Sequence, residues 1–258
     1  MSLLTAKVAP QEGVTYPSSD GKPMAETDLH RNWMFRLIEL LLRHFVGTQT
    51  YVSGNMLLYY VEGNPKKRVA PDVFVVRGID PHDRRVYKLW EEGIAPQVVI
   101  EVSSKGTMRE DLRHKPQIYE QIGVREYFLF DPLAEYLEPA LTGFRRIEGD
   151  ELDTGFVRME MDDSKSLVSE ELGLILRLVG RDLVLIDRQT GERLKTDREC
   201  AIEERAAREL AEVRATAADD RATAADDRAA AVEAAFQHER LQRLLLEAEI
   251  ARLRGESH

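Results

Sequence analysis

The sequence predicts an α/β protein, in which a mixed sheet is flanked by helices and followed by a C-terminal α-helical coiled-coil extension. Three observations lead to this prediction. A long amphipathic segment comes first, several short β-branched runs follow it, and a seven-residue repeat occupies part of the last sixty or so residues. Apolar residues at helical spacing indicate a helix, whereas short apolar runs between turn residues indicate buried strands.

The chain divides by composition into three parts. Residues 1–24 are rich in Pro, Gly and Ser, which favours an extended N-terminal arm. From residue 25 to 45, apolar side chains recur at helical spacing and predict a long amphipathic helix (Leu29, Trp33, Leu37 and Leu41). The strand-like segments "TYVSGNMLLYYVEGN" and "RVAPDVFVVRG" follow, so we expect the folded core over residues 25–196.

A carboxylate interrupts the most apolar of these strands. In "PQVVIEVSSKG", residues 96–106, Glu101 lies inside a run of valines and isoleucine that is typical of a sheet interior. An unpaired carboxylate buried there costs several kcal/mol or becomes neutral. Glu101 therefore needs a cation, a hydrogen-bond network or a metal ion beside it; a salt bridge to Arg113 or Lys115 is the structural alternative.

A helix and a second buried strand are expected after Glu101. "SSKGTMREDLRHKPQIYEQIG" has a capping-box pattern at Thr107 and Glu110, and Gly123 is a suitable C-terminal stop. Pro116 lies inside this segment and is expected to split it into a first turn and a second helix. "VREYFLFDP" then reads as a buried strand.

Two acids from separate strands form the candidate site. Asp72 opens the strand "VFVV", and its side chain would converge with that of Glu101 if the two strands are neighbours. Paired carboxylates bind Mg²⁺ or Mn²⁺ through oxygen, and the ion lowers the pKa of bound water. An acid after proline is also common at a turn or strand start, so Asp72 has a structural interpretation as well.

These residues resemble a known family. The "PD" at residues 71–72, the "EVSS" about thirty residues later, a downstream "D…K…Y" and "GVREYFLFDP" resemble the Uma-two-type restriction endonucleases of the PD-(D/E)xK nuclease superfamily. The resemblance covers residues 16–196 and is strongest over 71–132. It implies a restriction-endonuclease-like core in which Asp72 and Glu101 are metal ligands for Mg²⁺ or Mn²⁺.

The resemblance also concerns the catalytic lysine. The superfamily's lysine stands two residues after the glutamate, and here that position is Ser103. Lys115, on the following helix, matches the position that related sequences use, and Lys105 is the competing candidate. Asp111 is expected to support the helix start or to orient Lys115.

Other polar residues are candidates for supporting roles. Glu26 corresponds to the additional acid that many such nucleases carry at the start of the first helix. His30 lies on the same helix, where a solvated or core-edge histidine is the more ordinary interpretation. Six basic residues flank the expected site and would either hold DNA phosphates or only solubilise loops (Lys66, Lys67, Arg68, Arg84, Arg85 and Lys88).

The C-terminal part, residues 197–258, is different in kind. "RATAADD" occurs twice in succession, and small apolar residues recur in alternating steps of four and three from Ala211 to Phe236. This is the coiled-coil period, although alanine and charged residues also favour a solvated single helix. We expect a homodimer, with this helix as the candidate interface.

Composition limits the function classes. No apolar run approaches the eighteen residues of a membrane span, and "MSLLTAKVAPQEG" shows no secretory signal. The single cysteine, Cys200, excludes an internal disulfide, so we expect a cytoplasmic protein that is not attached to a membrane. The net charge of −10 argues against a non-specific nucleic-acid coat but not against a local basic groove.

Two functions from different classes follow. The first is a metal-dependent endonuclease that hydrolyses DNA phosphodiester bonds with a Mg²⁺-activated water. The alternative is a non-catalytic nucleic-acid-binding or scaffold protein, with a decayed nuclease core and an oligomerising tail. Retention of both acids favours the first, while the serine in the lysine position favours the second.

Overall fold

The structure is a computed structural model and describes residues 14–19, 27–104, 106–147 and 155–255. The chain divides into two units, residues 1–196 and residues 197–258. Within the described residues, the first unit holds the sheets and their flanking helices and the second unit is a single helix. The predicted α/β class is therefore confirmed.

The first unit is built on a six-stranded mixed sheet. Its strands are β1 Thr50–Ser53, β4 Val73–Arg77, β6 Val98–Val102, β7 Glu126–Phe130, β8 Leu141–Ile147 and β9 Gly155–Arg158. They lie in the order β1–β4–β6–β7–β8–β9, in which β6 and β7 are parallel and the other neighbours are antiparallel.

Two smaller sheets complete the first unit. One of them consists of the strands β2 Leu58–Tyr59, β3 Arg68–Val69 and β5 Tyr87–Lys88. The short helix α2, Leu89–Glu92, follows β5 directly. The other is an antiparallel sheet of the strands β10 Ser166–Ser169, β11 Leu174–Val179 and β12 Asp182–Asp187. The turn between β11 and β12 has Gly180 at φ 64°, a conformation that glycine adopts without strain.

The predicted first helix is confirmed as α1, Asp28–His44. Thr27 caps it, because its Oγ1 accepts a hydrogen bond from the His30 N–H at 3.2 Å. The buried stripe of α1 lies at helical spacing and joins the core with one face of β4 and β6 (His30, Trp33, Met34, Leu37, Leu40 and Leu41). This packing covers one face of the central sheet.

The connection between β6 and β7 crosses the other face. It contains a π-helical turn, Glu110–His114, followed by α3, Lys115–Ile122. Pro116 has no N–H to donate to the preceding turn, and just before it the Lys115 N–H bonds the Glu110 carbonyl in a widened turn. The helical segment does not break at Pro116, which lies in the first turn of α3 directly after the π-helical turn; the predicted stop at Gly123, which adopts φ 95°, is confirmed.

The predicted capping box is wrong. Thr107 Oγ1 accepts a hydrogen bond from the Ser104 N–H at 3.1 Å, and the Glu110 N–H bonds the Thr107 carbonyl oxygen at 2.9 Å. The threonine side chain therefore closes the loop before the helix and does not cap the helix.

The two ends of the chain were predicted as an arm and a helical tail. Residues 14–19 have no helix or strand, and Tyr16 packs against Tyr59 and Trp90 with ring centroids 5.1 Å apart in each pair. The rest of the predicted arm, residues 1–13 and 20–24, lies outside the described residues. Helix α4, Asp197–Gly255, has 59 residues and confirms the predicted helix; its described side chains are exposed or half-buried in the single chain.

Candidate active site

Glu101 lies at the carboxyl end of β6 and is fully buried, with 0% of its surface exposed. Side chains alternate along the strand, so that Val98, Ile100 and Val102 join the core beneath α1. Glu101 belongs to the opposite face, where α3 crosses the sheet. The sheet position thus explains why a carboxylate is embedded in an apolar run.

Three groups contact the Glu101 carboxylate. The Tyr119 hydroxyl donates a hydrogen bond to Oε1 at 2.5 Å. The Lys115 ammonium lies 3.0 Å from Oε2, and the Asp72 N–H donates to the same oxygen at 3.2 Å. Charge-assisted hydrogen bonds of this kind offset part of the desolvation of a buried carboxylate.

Asp72 lies directly beside Glu101, because β4 and β6 are antiparallel neighbours. Its Oδ2 accepts a hydrogen bond from the Val102 N–H at 2.8 Å and lies 3.2 Å from His30 Nε2. No described residue donates a hydrogen bond to the other oxygen, Oδ1. The structure therefore brings together the two acids that the sequence singled out.

A glycine permits the close approach that positions Asp72. A Cβ atom added to Gly54 would lie 1.9 Å from the Asp72 carbonyl oxygen, far inside van der Waals contact. The neighbouring Asn55 N–H also bonds the Pro71 carbonyl oxygen at 2.8 Å. The segment after β1 thus fixes the backbone at the start of β4.

Lys115 is the lysine that reaches Glu101 among the described residues. Its ammonium lies 2.8 Å from Asp111 Oδ1 and 3.0 Å from Glu101 Oε2. Asp111 is one helical turn earlier and fully buried, and its carbonyl accepts a hydrogen bond from the Tyr127 hydroxyl at 2.8 Å. Asp111 thus orients Lys115, whereas Arg113, the other proposed partner of Glu101, is exposed.

Burial and charge shift the acids in opposite directions. Burial raises the pKa of Glu101 well above its usual value; the Lys115 charge opposes this and the Asp72 charge adds to it. Burial also acts to raise the pKa of Asp72, but the His30 hydrogen bond and the Lys115 charge outweigh it, so the pKa is lowered. Burial raises the pKa of Asp111 despite the Lys115 charge beside it.

Lys115 remains protonated. Burial acts to lower its pKa, but the negative charges of Glu101, Asp111 and Asp72 raise it above its usual value. Its ammonium thus lies among three carboxyl groups, which compete for one positive charge.

Ser103, in the position of the superfamily's lysine, is buried with 3% of its surface exposed. Its N–H donates to the Phe130 carbonyl oxygen at 2.7 Å, but among the described residues its hydroxyl oxygen has no hydrogen-bond partner. An orphaned buried hydroxyl two residues from Glu101 is an oxygen that a ligand can use.

The residues present fit a divalent cation by donor type. Carboxylates of Asp72 and Glu101 and the Ser103 hydroxyl supply oxygen, the donor that Mg²⁺ prefers. Within the described part of the chain, no group of three or more His, Cys, Asp or Glu side chains is arranged to hold a metal ion. A cation here would rest on two carboxylates, with water or phosphate completing its shell, as is usual for Mg²⁺.

Sequence reasoning missed two residues of the site. His30 is not solvated: it is 2% exposed and contacts Asp72. Its position three and four residues before Trp33 and Met34, on the buried stripe of α1, was the signal. Tyr119 is the tyrosine of the downstream "D…K…Y", to which the sequence assigned no separate role, and its hydroxyl contacts Glu101.

The remaining predicted residues lie either outside the described part of the chain or in contacts away from the site. Glu26 and Lys105 lie outside the described residues. Arg84 is held by both Glu92 carboxylate oxygens at 2.7 and 3.0 Å, and Lys88 pairs with Glu91 at 2.9 Å. The Arg68 guanidinium donates to the Pro65 carbonyl. Of the six basic residues, three are exposed: Lys66, Lys67 and Arg85.

The fold and these residues define an α/β protein of the restriction-endonuclease-like class. The chain belongs to the family described as "Uma2: Putative restriction endonuclease", whose model matches residues 8–179. The family predicted from the sequence is thus confirmed.

Other comparisons are more distant. A solved structure described as "a putative nuclease belonging to DUF820 from Anabaena variabilis ATCC 29413" is similar at 13% identity, over 64% of this chain and 87% of that chain, with a TM-score of 0.42. No curated protein matches. Among the described residues, no helix combines the length and the apolarity needed to cross a membrane.

Proposed function

We propose that the protein is a metal-dependent endonuclease that hydrolyses phosphodiester bonds in DNA. The observation that carries the proposal is the contact of the Lys115 ammonium with Glu101, which in turn accepts a hydrogen bond from the Asp72 N–H. The family description supports DNA as the substrate. The single cysteine supports a reducing, cytoplasmic location.

In this proposal Asp72 and Glu101 hold Mg²⁺ or Mn²⁺. The cation would neutralise charge on the phosphate and acidify an attacking water. Val102 and His30 orient Asp72, while Tyr119 orients Glu101. These contacts leave Asp72 Oδ1 for a ligand.

Lys115 stabilises the reacting phosphate. Water attacks phosphorus and releases a proton to solvent, the bond from phosphorus to the leaving oxygen breaks, and that oxygen takes a proton from solvent. Negative charge builds on the phosphate oxygens during this step. Because two carboxylates keep the Lys115 ammonium protonated, this side chain is suited to stabilise that charge and not to accept a proton. Exposed Lys66, Lys67 and Arg85 are candidate contacts for the DNA backbone.

The alternative is a non-catalytic nucleic-acid-binding or scaffold protein. One observation favours it: three of the four carboxylate oxygens of Asp72 and Glu101 already have partners within the chain. A buried pair that is satisfied in this way can serve the fold alone.

Cleavage of plasmid and linear DNA with Mn²⁺ or Mg²⁺ separates the two functions. We expect the full chain to cut DNA, and Asp72→Asn and Lys115→Met to lose about 100-fold or more of the rate. Lys165→Met, which replaces an exposed lysine in a distant turn, is the matched control and should cut normally.

Calorimetry with Mn²⁺ gives a readout besides activity. We expect binding to the wild type and to Lys165→Met but not to Asp72→Asn. No cleavage and no Mn²⁺ binding by the wild type would overturn the nuclease proposal in favour of the alternative.

A further inference from the structure

Helix α4 presents an unpartnered face that repeats every seven residues. All of its side chains from residue 197 to 252 are exposed or half-buried. Small apolar residues form a continuous seam in alternating steps of four and three, which are the d and a positions of a heptad (Ala211, Ala215, Ala218, Ala222, Ala225, Ala229, Val232 and Phe236). A helix with such a seam has a face suited to a second helix.

The charges beside the seam follow a strict spacing. With Ala211 at d, three arginines occupy g positions, and three of the four acids at e positions lie five residues after an arginine. We call them the g arginines (Arg214, Arg221 and Arg228) and the e acids (Asp219, Asp226 and Glu233). Charges at e and g decide which helices pair and in which orientation.

This spacing does not serve the single helix. Residues five apart are rotated by about 140° around a helix, so an arginine cannot reach its acid in the same chain. Every residue three or four places from a g arginine is alanine, leucine or valine. Elsewhere in α4, by contrast, Arg205 pairs with Glu209 and Arg208 with Glu204 at the i, i+4 spacing.

We propose that residues 211–236 pair with the same residues of a second copy as a parallel, in-register two-stranded coiled coil. In that arrangement each g residue faces the e residue five places later in the partner helix, so all three g arginines meet e acids on both sides of the seam. In an antiparallel pair, g faces g and e faces e. Arginine would then oppose arginine and acid would oppose acid.

The proposed coiled coil ends at Phe236 for a physical reason. In the same register the next seam positions are Glu239 and Arg243, which form an ion pair at 3.6 Å within one chain. Leu241, Leu244 and Leu245 lie outside the seam. The alanine seam allows the two helices to approach closely, and Val232 and Phe236 add most of its apolar area.

Cysteine cross-linking tests the orientation in the full chain. With Cys200→Ser as the background, Ala218→Cys and Val232→Cys each place a thiol at a d position, where it meets its own copy in the partner. We expect both variants to form disulfide-linked dimers under mild oxidation. Thr216→Cys, on the outer face of the helix and two residues before Ala218, is the matched control and should stay unlinked.

The pattern of cross-links decides the outcome. An antiparallel pair can bring at most one of the two d positions next to its own copy, so cross-linking at only one of them would overturn the proposal. Equal cross-linking of all three variants, or none at either d position, would also overturn it.

Charge reversal tests the pairing itself. Sedimentation should give the mass of two chains for the wild type, and replacing the g arginines by glutamate should raise the dissociation constant on the order of 100-fold. Replacing the e acids by arginine in that same chain should restore the dimer. A wild type that sediments as one chain at about 50 µM, or a failure of this restoration, would contradict the proposal.

Discussion

Two buried glutamates lie on neighbouring parallel strands and are satisfied in different ways. Glu126, at the start of β7, is 1% exposed and is held by the Arg145 guanidinium at 2.9 and 3.1 Å. The Ser169 hydroxyl and the Glu170 N–H complete its hydrogen bonds. Glu101, at the end of β6, shares one ammonium with Asp111 and lies beside Asp72.

The difference separates a structural ion pair from a candidate site. Glu126 has one cation of its own and neutral donors around it, so its buried charge is paired and its hydrogen bonds are satisfied. Around Glu101, three carboxyl groups compete for the Lys115 ammonium, and the Ser103 hydroxyl has no partner among the described residues. A divalent cation would favour the ionised forms of these carboxyl groups and would use the spare oxygens.

The largest expected contrast is in activity. Glu101→Gln keeps the shape and the Tyr119 hydrogen bond but removes the charge, so we expect DNA cleavage to fall by about 100-fold or more. Glu126→Gln removes the same charge one strand away and should leave the cleavage rate per folded molecule within about twofold. Initial rates on plasmid DNA check this, and an equal loss in both variants would contradict it.

The second contrast between the two glutamates is in stability, where we expect the Glu126 variant to lose more than the Glu101 variant. Glu126→Gln breaks a buried charge pair, and we expect the free energy of unfolding to fall by about 2–3 kcal/mol. Glu101→Gln should change it by less than about 1 kcal/mol, because removing one of three clustered carboxylates relieves repulsion. Urea denaturation measures both. A larger loss for Glu101→Gln would make Glu101 a structural residue like Glu126.

Stabilisation by Mn²⁺ gives a smaller contrast. At about ten times its dissociation constant, the ion should stabilise the wild type by about 1.4 kcal/mol, and chelation should reverse the effect. Glu126→Gln should keep this increment, and Asp72→Asn should lose it. Thermal melts with and without Mn²⁺ check it, and an unchanged increment in Asp72→Asn would place the ion elsewhere.

The sequence predicts much of this fold because its signals are local. The stripe of α1, the apolar runs of β4 and β6, and Gly123 each act through a few adjacent residues. The convergence of Asp72 and Glu101 was predicted on the condition that their strands are neighbours, and the pairing of β4 with β6 meets that condition. The contacts of His30 and Tyr119 depend on helix placement across the sheet, and the pairing of Glu126 depends on Arg145 and Ser169, both distant in sequence.

The smallest contrast concerns the two serines beside the two glutamates. Ser169 donates to Glu126 and accepts from the Leu172 N–H at 3.0 Å, so Ser169→Ala should lower the free energy of unfolding by about 1–2 kcal/mol. The Ser103 hydroxyl has no such partner, and Ser103→Ala should change stability by no more than about 0.5 kcal/mol without metal. If the Ser103 hydroxyl contributes an oxygen to the cation, Ser103→Ala should still reduce the stabilisation by Mn²⁺. Urea denaturation without and with Mn²⁺ measures the stability of the fold and the gain from the ion separately. If Ser103→Ala gained as much stability from Mn²⁺ as the wild type, its hydroxyl would not be a ligand of the cation.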